Sequence, residues 1–259
     1  MNTNVGPPVM LVPGITNPVE ISYGPLITLL RDNNTRLVTK ELEVYADGTQ
    51  GAIFSAMIEA DGIVRAADEA GLDTFHLVGY SAGGLAALAA IEKYPERLRS
   101  VTLIEPFGTG SYESSPEEKA FLDRAATVLD LPSEQRVAAF LPMNVSEGVE
   151  IAPAGPPPDW MEHRPAGVAA LVRAARQTKF DKEAFRAFER PVYVVMGSLS
   201  NPAWYRMVDT LVGLFPNIKV EVYEGLHHLT PPQRLEPELF AEALQGVWAE
   251  GDALVEGGA

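Results

Sequence analysis

The run Thr74-Phe75-His76-Leu77-Val78 reads as a buried strand, and it passes without a break into Gly79-Tyr80-Ser81-Ala82-Gly83-Gly84 and then into a helical pattern that ends at Pro95. A strand that turns at once into a helix leaves room only for small residues where the two approach, and glycines two positions either side of Ser81 supply them. Such a turn is tight and strained, and it thrusts the Ser81 hydroxyl out at the carboxyl end of the strand. The extra Gly84 strengthens the pattern. Read without chemistry, the same residues are a glycine-rich turn carrying a surface serine.

Around this turn, short β-branched runs alternate with longer segments of helical period, the mark of βαβ units on a mostly parallel sheet. Strands are expected at Val9–Val12, Arg36–Val44, Thr74–Val78, Ser100–Ile104, Val192–Met196 and Ile218–Tyr223. The second carries Lys40, Glu41 and Glu43, which suits an edge strand. Helices are expected near Pro25–Arg31, Ile53–Ala70, Gly83–Tyr94, Ala203–Leu214 and Pro237–Trp248. Between Phe107 and Glu189 the rhythm stops. That stretch offers only helical patterns near Pro116–Leu129, Ser133–Leu141, Gly167–Gln177 and Lys182–Phe188, with a proline-rich segment at Ala152–Pro158. The predicted organisation is an α/β core of residues 1–106 and 190–250, a helical insertion at 107–189 and a frayed tail at 251–259. At about 150 residues per domain, 259 residues fit one such interrupted domain.

Composition removes several function classes. Twenty Lys and Arg against 35 Asp and Glu give a formal charge of −15, which repels phosphate backbones and anionic headgroups, so neither nucleic acid nor a membrane surface is an expected partner. The absence of cysteine excludes thiolate nucleophiles, thiolate metal sites and disulfides. Four scattered histidines suggest no metal cluster. The first eight residues lack the basic and apolar regions of a secretion signal, and no apolar run approaches the roughly 18 residues of a spanning helix, so a soluble, cytoplasmic protein is expected. No oligomeric state is implied.

The Gly-x-Ser-x-Gly turn in its strand and helix context resembles the α/β-hydrolase superfamily over about residues 9–248. The resemblance implies an α/β-hydrolase fold with a central, mostly parallel sheet of about six strands, the family's first two strands being absent, and a helical cap. It implies Ser81 as nucleophile, which needs a base because a free hydroxyl is a poor nucleophile at neutral pH. The family places its histidine after the last strand, where this chain has Gly225-Leu226-His227-His228-Leu229-Thr230. His228 matches that slot better than His227, because Leu229-Thr230 follow it as the family's Leu-Pro does. His76, inside a strand, reads as structural, and His163 as a solvated residue of the insertion.

The acid departs from the commonest pattern. The family's usual slot, three residues past Gly197, holds Ser200, and neither it nor Asn201 can carry the charge that stabilises an imidazolium. A minority of the family draws the acid from the end of the strand after the nucleophile helix, and there the chain reads Ile104-Glu105-Pro106. The expected set is therefore Ser81, Glu105 and His228, although an acid before proline also occurs in relatives whose catalytic acid lies elsewhere. An oxyanion hole would use the backbone N–H groups of Ala82 and of Ile15, in Pro13-Gly14-Ile15, where Pro13 replaces the family's histidine.

Met143, Trp160 and Met161 in the insertion, with Phe107 at its entrance, could line an apolar substrate pocket, although residues at such helical spacing more often form the core of the cap. The implied activity is hydrolysis of a carboxylic ester of a small to medium apolar molecule, without metal or organic cofactor. Carbon–carbon bond, lactone or amide cleavage, lyase chemistry on the same residues, and a ligand-binding receptor on the same scaffold are the alternatives.

Overall fold

The apolar runs pair into one all-parallel sheet in a computed structural model that describes residues 6–46, 50–110, 115–152 and 155–257. The strands are β1 (Pro8–Val12), β2 (Arg36–Thr39), β3 (Phe75–Tyr80), β4 (Leu98–Ile104), β5 (Val192–Gly197) and β6 (Ile218–Tyr223). They lie in the order β2-β1-β3-β4-β5-β6. β3 and β5 are buried at every position, as parallel strands covered on both faces must be.

Alternate residues of each strand feed two cores. Met10, Leu77, Leu103 and Val194 face α2 (Ala56–Glu69), α3 (Ala82–Lys93) and α8 (Pro202–Val212). Val9, Leu11, Val78 and Val195 face α1 (Val19–Asp32) and α10 (Pro237–Gly257). Nearly every residue of α3 is buried, which explains its Ala-Gly-Leu composition: small side chains let it sit close to the sheet.

The chain between β4 and β5 forms α4 (Pro116–Ala126), α5 (Ser133–Phe140), α6 (Arg164–Gln177) and α7 (Lys182–Arg186), with no strand among its described residues. Residues 153–154 of the proline-rich segment lie outside the described residues. α4 begins where Ser115 Oγ accepts a hydrogen bond from Glu118 N at 3.0 Å, satisfying a first-turn donor. Phe121, Leu171, Phe180 and Phe185 of this stretch belong to the same apolar cluster as α3, so the inserted helices share the core of the sheet.

Three boundaries differ from the sequence reading. β2 is the edge strand but ends at Thr39, and the charges assigned to it lie beyond its end. Glu41 accepts from Val19 N at 2.5 Å and so caps α1, which begins at Val19 rather than near Pro25. Glu43 pairs with Lys40 at 2.6 Å and Arg65 at 2.5 Å. The third difference is the tail. Residues 251–257 continue α10 instead of fraying, because Asp252 Oδ1 meets Arg99 at 2.7 Å and His76 Nε2 at 3.2 Å; residues 258–259 lie outside the described residues.

Gly251 is what lets α10 lie on β4, since a Cβ there would sit 2.5 Å from the Arg99 carbonyl oxygen. Gly251→Val should destabilise the protein by about 1–3 kcal/mol through overpacking, read as a Tm lower by roughly 3–10 °C in calorimetry. An unchanged Tm would show that the carboxyl-terminal turns do not hold the sheet.

Candidate active site

The turn after β3 is built by close approach. A Cβ on Gly79 would stand 2.3 Å from the Gly83 carbonyl oxygen, so no larger residue fits there. Ser81 consequently adopts φ 55° and ψ −112°. Glu105, at the end of the neighbouring strand, also has a positive φ of 43°. Such conformations cost about 1–3 kcal/mol each and persist only where surrounding structure fixes them. Here Ser81 N donates to the Ile104 carbonyl at 2.9 Å, Phe107 N donates to the Ser81 carbonyl at 3.0 Å, and Glu105 N donates to the Val195 carbonyl at 3.1 Å.

His228 lies between β6 and α9 (Pro232–Leu235). Its Nε2 is 3.1 Å from Ser81 Oγ, and its Nδ1 is 2.7 Å from Glu105 Oε2. All three side chains are buried. With Nδ1 carrying the proton toward the carboxylate, Nε2 is free to accept from the serine hydroxyl. The other carboxylate oxygen, Glu105 Oε1, accepts from Gly197 N at 2.6 Å and from Ser200 Oγ at 2.5 Å. Ser200, the residue in the family's usual acid slot, thus serves as a hydrogen-bond donor to the acid. It is itself fixed by an isolated antiparallel bridge to Val145 and by Ser146 Oγ, which donates to its carbonyl at 2.7 Å.

The imidazole is held on its faces as well. Trp204, on α8, stacks on it with ring centroids 4.5 Å apart and planes 18° apart, and Tyr80 lies 5.2 Å away. The Tyr80 hydroxyl donates to the His228 carbonyl. Burial, with Glu105 nearby, pushes that phenol far above its usual pKa and keeps it a donor. His227 faces elsewhere: its Nδ1 accepts from Leu229 N at 3.2 Å, and burial lowers its pKa.

Pro13-Gly14-Ile15 is pressed against Ser81, with a Cβ on Gly14 falling 3.2 Å from Ser81 Cβ. The loop is tied to α3 by Gly83 N donating to the Pro13 carbonyl at 3.1 Å. The Ile15 carbonyl accepts from Tyr45 Oη at 2.6 Å and from Arg164 Nη1 at 3.4 Å, and the Arg164 guanidinium lies 3.9 Å over the Tyr45 ring. Ala82 opens α3, where first-turn N–H groups have no intrahelical acceptor. Gly14 and the start of α3 therefore flank Ser81.

The profile of the Alpha/beta hydrolase family matches residues 36–243. The chain belongs to this family. Solved structures agree in fold. The chain is similar to one from a study of carboxylesterases of the ammonia-oxidising thaumarchaeon Nitrososphaera gargenis, at 17% identity and TM-score 0.71, covering 95% of this chain and 91% of that one. It is similar to a thermophilic esterase from Thermogutta terrifontis, at 20% identity and TM-score 0.70, covering 94% and 91%. The carboxylesterase CesB from Bacillus subtilis matches at 15% identity and TM-score 0.57, covering 92% and 82%. No curated protein matches the chain significantly in sequence.

Within this alpha/beta hydrolase a cavity of about 190 Å³ opens between the inserted helices and the carboxyl ends of the strands. Met161 lines it, with Thr16, Tyr80, Leu229 and Arg234. The other expected pocket residues lie elsewhere. Phe107 is wholly buried against Phe121, Phe140 and Trp204. Met143 packs on the core, its carbonyl accepting from Asn201 Nδ2 at 2.9 Å, and Trp160 is 5.7 Å from Arg164. His76 is buried, with Nδ1 2.8 Å from Ser100 Oγ, and His163 is exposed just before α6. Among the described residues no group of three acids or histidines could hold a metal ion, and no helix is long and apolar enough to cross a membrane.

The sequence reading missed Trp204, the Tyr80 hydroxyl, Ser200 as a donor, and the Arg164–Tyr45 pair. Ser200 had a signal, since it stood in a slot already recognised as vacated. Arg164 reaches Ile15 from 149 residues away and had none. Removing the Ser200 hydroxyl leaves Glu105 Oε1 with Gly197 N alone. Ser200→Ala should slow labelling of Ser81 by a fluorophosphonate about tenfold, the equivalent of losing one hydrogen bond to a charged group; an unchanged labelling rate would show that Ser200 does not support the acid.

Proposed function

We propose that this alpha/beta hydrolase is a serine esterase acting on a small to medium, largely apolar molecule. The observation that carries the reading is the His228 ring spanning Ser81 Oγ at 3.1 Å and Glu105 Oε2 at 2.7 Å. In this mechanism Ser81 attacks the ester carbonyl while His228 Nε2 takes its proton. Glu105 holds the ring and stabilises the imidazolium. The N–H groups of Ile15 and Ala82 stabilise the oxyanion of the tetrahedral intermediate. His228 then gives the proton to the departing alcohol, and an attacking water repeats the sequence to release the acid and restore Ser81 Oγ. No step needs a metal or organic cofactor. The esterases among the similar folds support an ester over a carbon–carbon bond as the substrate linkage.

A p-nitrophenyl ester of a short acid should give a burst of nitrophenolate about equal to the enzyme concentration, followed by slower turnover. Ser81→Ala should abolish the burst, and His228→Ala should slow it by about a thousandfold or more. Tight binding of the ester without release of nitrophenolate would replace this reading with that of a ligand-binding receptor.

A further inference from the structure

The cavity beside Ser81 carries an unbalanced charge. Its wall takes in Thr16, Tyr80 and Leu229, the chain neighbours of Ile15, Ser81 and His228. The rest is aliphatic or uncharged except Arg234. In a chain with 35 acids and 20 bases, the one charged residue among the described residues lining this space is a cation.

Arg97, Arg99 and Arg164 each face a carboxylate within 3.6 Å. Arg234 is different. Its contact within the fold is a long bond from Nη1 to the Leu229 carbonyl, at 3.4 Å, and among the described residues no carboxylate pairs with it. That bond occupies one of five guanidinium N–H donors. Its backbone is fixed as well, because Arg234 N donates to the Pro231 carbonyl at 3.0 Å. Arg234 is thus half-buried, held near Leu229, and left with guanidinium donors whose geometry matches a carboxylate.

We infer that the substrate is a short ester bearing a free carboxylate, and that Arg234 receives that carboxylate while the aliphatic wall covers the carbon chain between it and the reacting carbonyl. This rests on the serine esterase reading above and replaces its largely apolar substrate with monoesters of short dicarboxylic acids. The size agrees: about 190 Å³ is below the roughly 300–1,000 Å³ of sites for drug-sized ligands. The neighbouring groove, which shares Val137 and Met161 with the cavity, carries Glu134, Asp159 and Glu162 and directs a carboxylate toward the Arg234 end. The −15 charge of the chain does not override this short-range pairing, because surface charges beyond about 8 Å are largely screened at physiological salt.

Monomethyl succinate and methyl butyrate have nearly the same shape and differ in the carboxylate. Wild-type protein should favour the succinate ester by about tenfold or more in kcat/KM, chiefly through KM, as expected for a charged hydrogen-bonded contact. Arg234→Gln should bring the ratio of the two kcat/KM values close to one. If Arg234 serves only to hold Leu229, both values fall together and the ratio is unchanged, which overturns the proposal, as does a wild-type preference for methyl butyrate. Succinate protection of Ser81 against a fluorophosphonate reads the carboxylate contact without ester turnover. Protection present in wild type and lost in Arg234→Gln, with neither ester cleaved, would sink the esterase reading and leave the carboxylate site standing; no protection in wild type would sink the site.

Discussion

A carboxylate buried beneath a helical insertion is tolerable only if its charge is met by hydrogen bonds, and the arrangement around Ser81 depends on how Glu105 satisfies that requirement. One oxygen faces His228 Nδ1; the other accepts from Gly197 N and Ser200 Oγ. Because the partners come from the end of β5 with the turn after it and from the loop after β6, the acid joins two separate segments to its own at the carboxyl edge of the sheet. An unpaired carboxylate at this depth would cost several kcal/mol. The same contacts that satisfy the charge also set the orientation of the imidazole.

Two strained residues share the edge. Ser81 and Glu105 both have positive φ, on adjacent strands, and each is held through the backbone of the next strand: Ser81 N to Ile104, Glu105 N to Val195. The strain is thus carried by the sheet ladder extended one residue beyond its regular end. Small residues make this possible, with Gly79 and Gly83 in contact across the turn and Gly14 against Ser81. Trp204 and Tyr80 then confine the His228 ring from its faces, so the imidazole is fixed by stacking as well as by hydrogen bonds.

The parts legible in the sequence were those fixed by local sterics. The spacing of Gly79, Ser81 and Gly83 declares the strand-turn-helix geometry on its own, and the alternation of apolar runs declares the six strands. The contact between Glu105 and His228 was legible because Ser200 left the usual acid position without a charge, an argument from the chemistry the site needs. The donor role of Ser200 was not, since it depends on a contact between residues 95 positions apart. Gly251 misled for a related reason: glycine reads as a helix breaker by propensity, whereas here the lack of a side chain is what permits α10 to lie against Arg99. The charges of Lys40, Glu41 and Glu43 were correctly associated with an edge, but their partners, Val19 N and Arg65, lie in other elements and so moved the end of β2. Of four expected pocket residues, Met161 lines the cavity while Phe107 lies deep in aromatic packing, a distinction that periodicity alone does not make.

The central claim is that Glu105, not a residue at the family's usual acid position, orients His228 toward Ser81. Its most direct measurement is the rate of acylation of Ser81 in Glu105→Gln, which keeps the shape but removes the charge and turns one acceptor oxygen into an NH2 donor, alongside thermal unfolding to establish that the variant is folded. The account predicts a folded protein whose acylation rate falls by about a thousandfold or more. A folded Glu105→Gln protein acylated at close to the wild-type rate would contradict it.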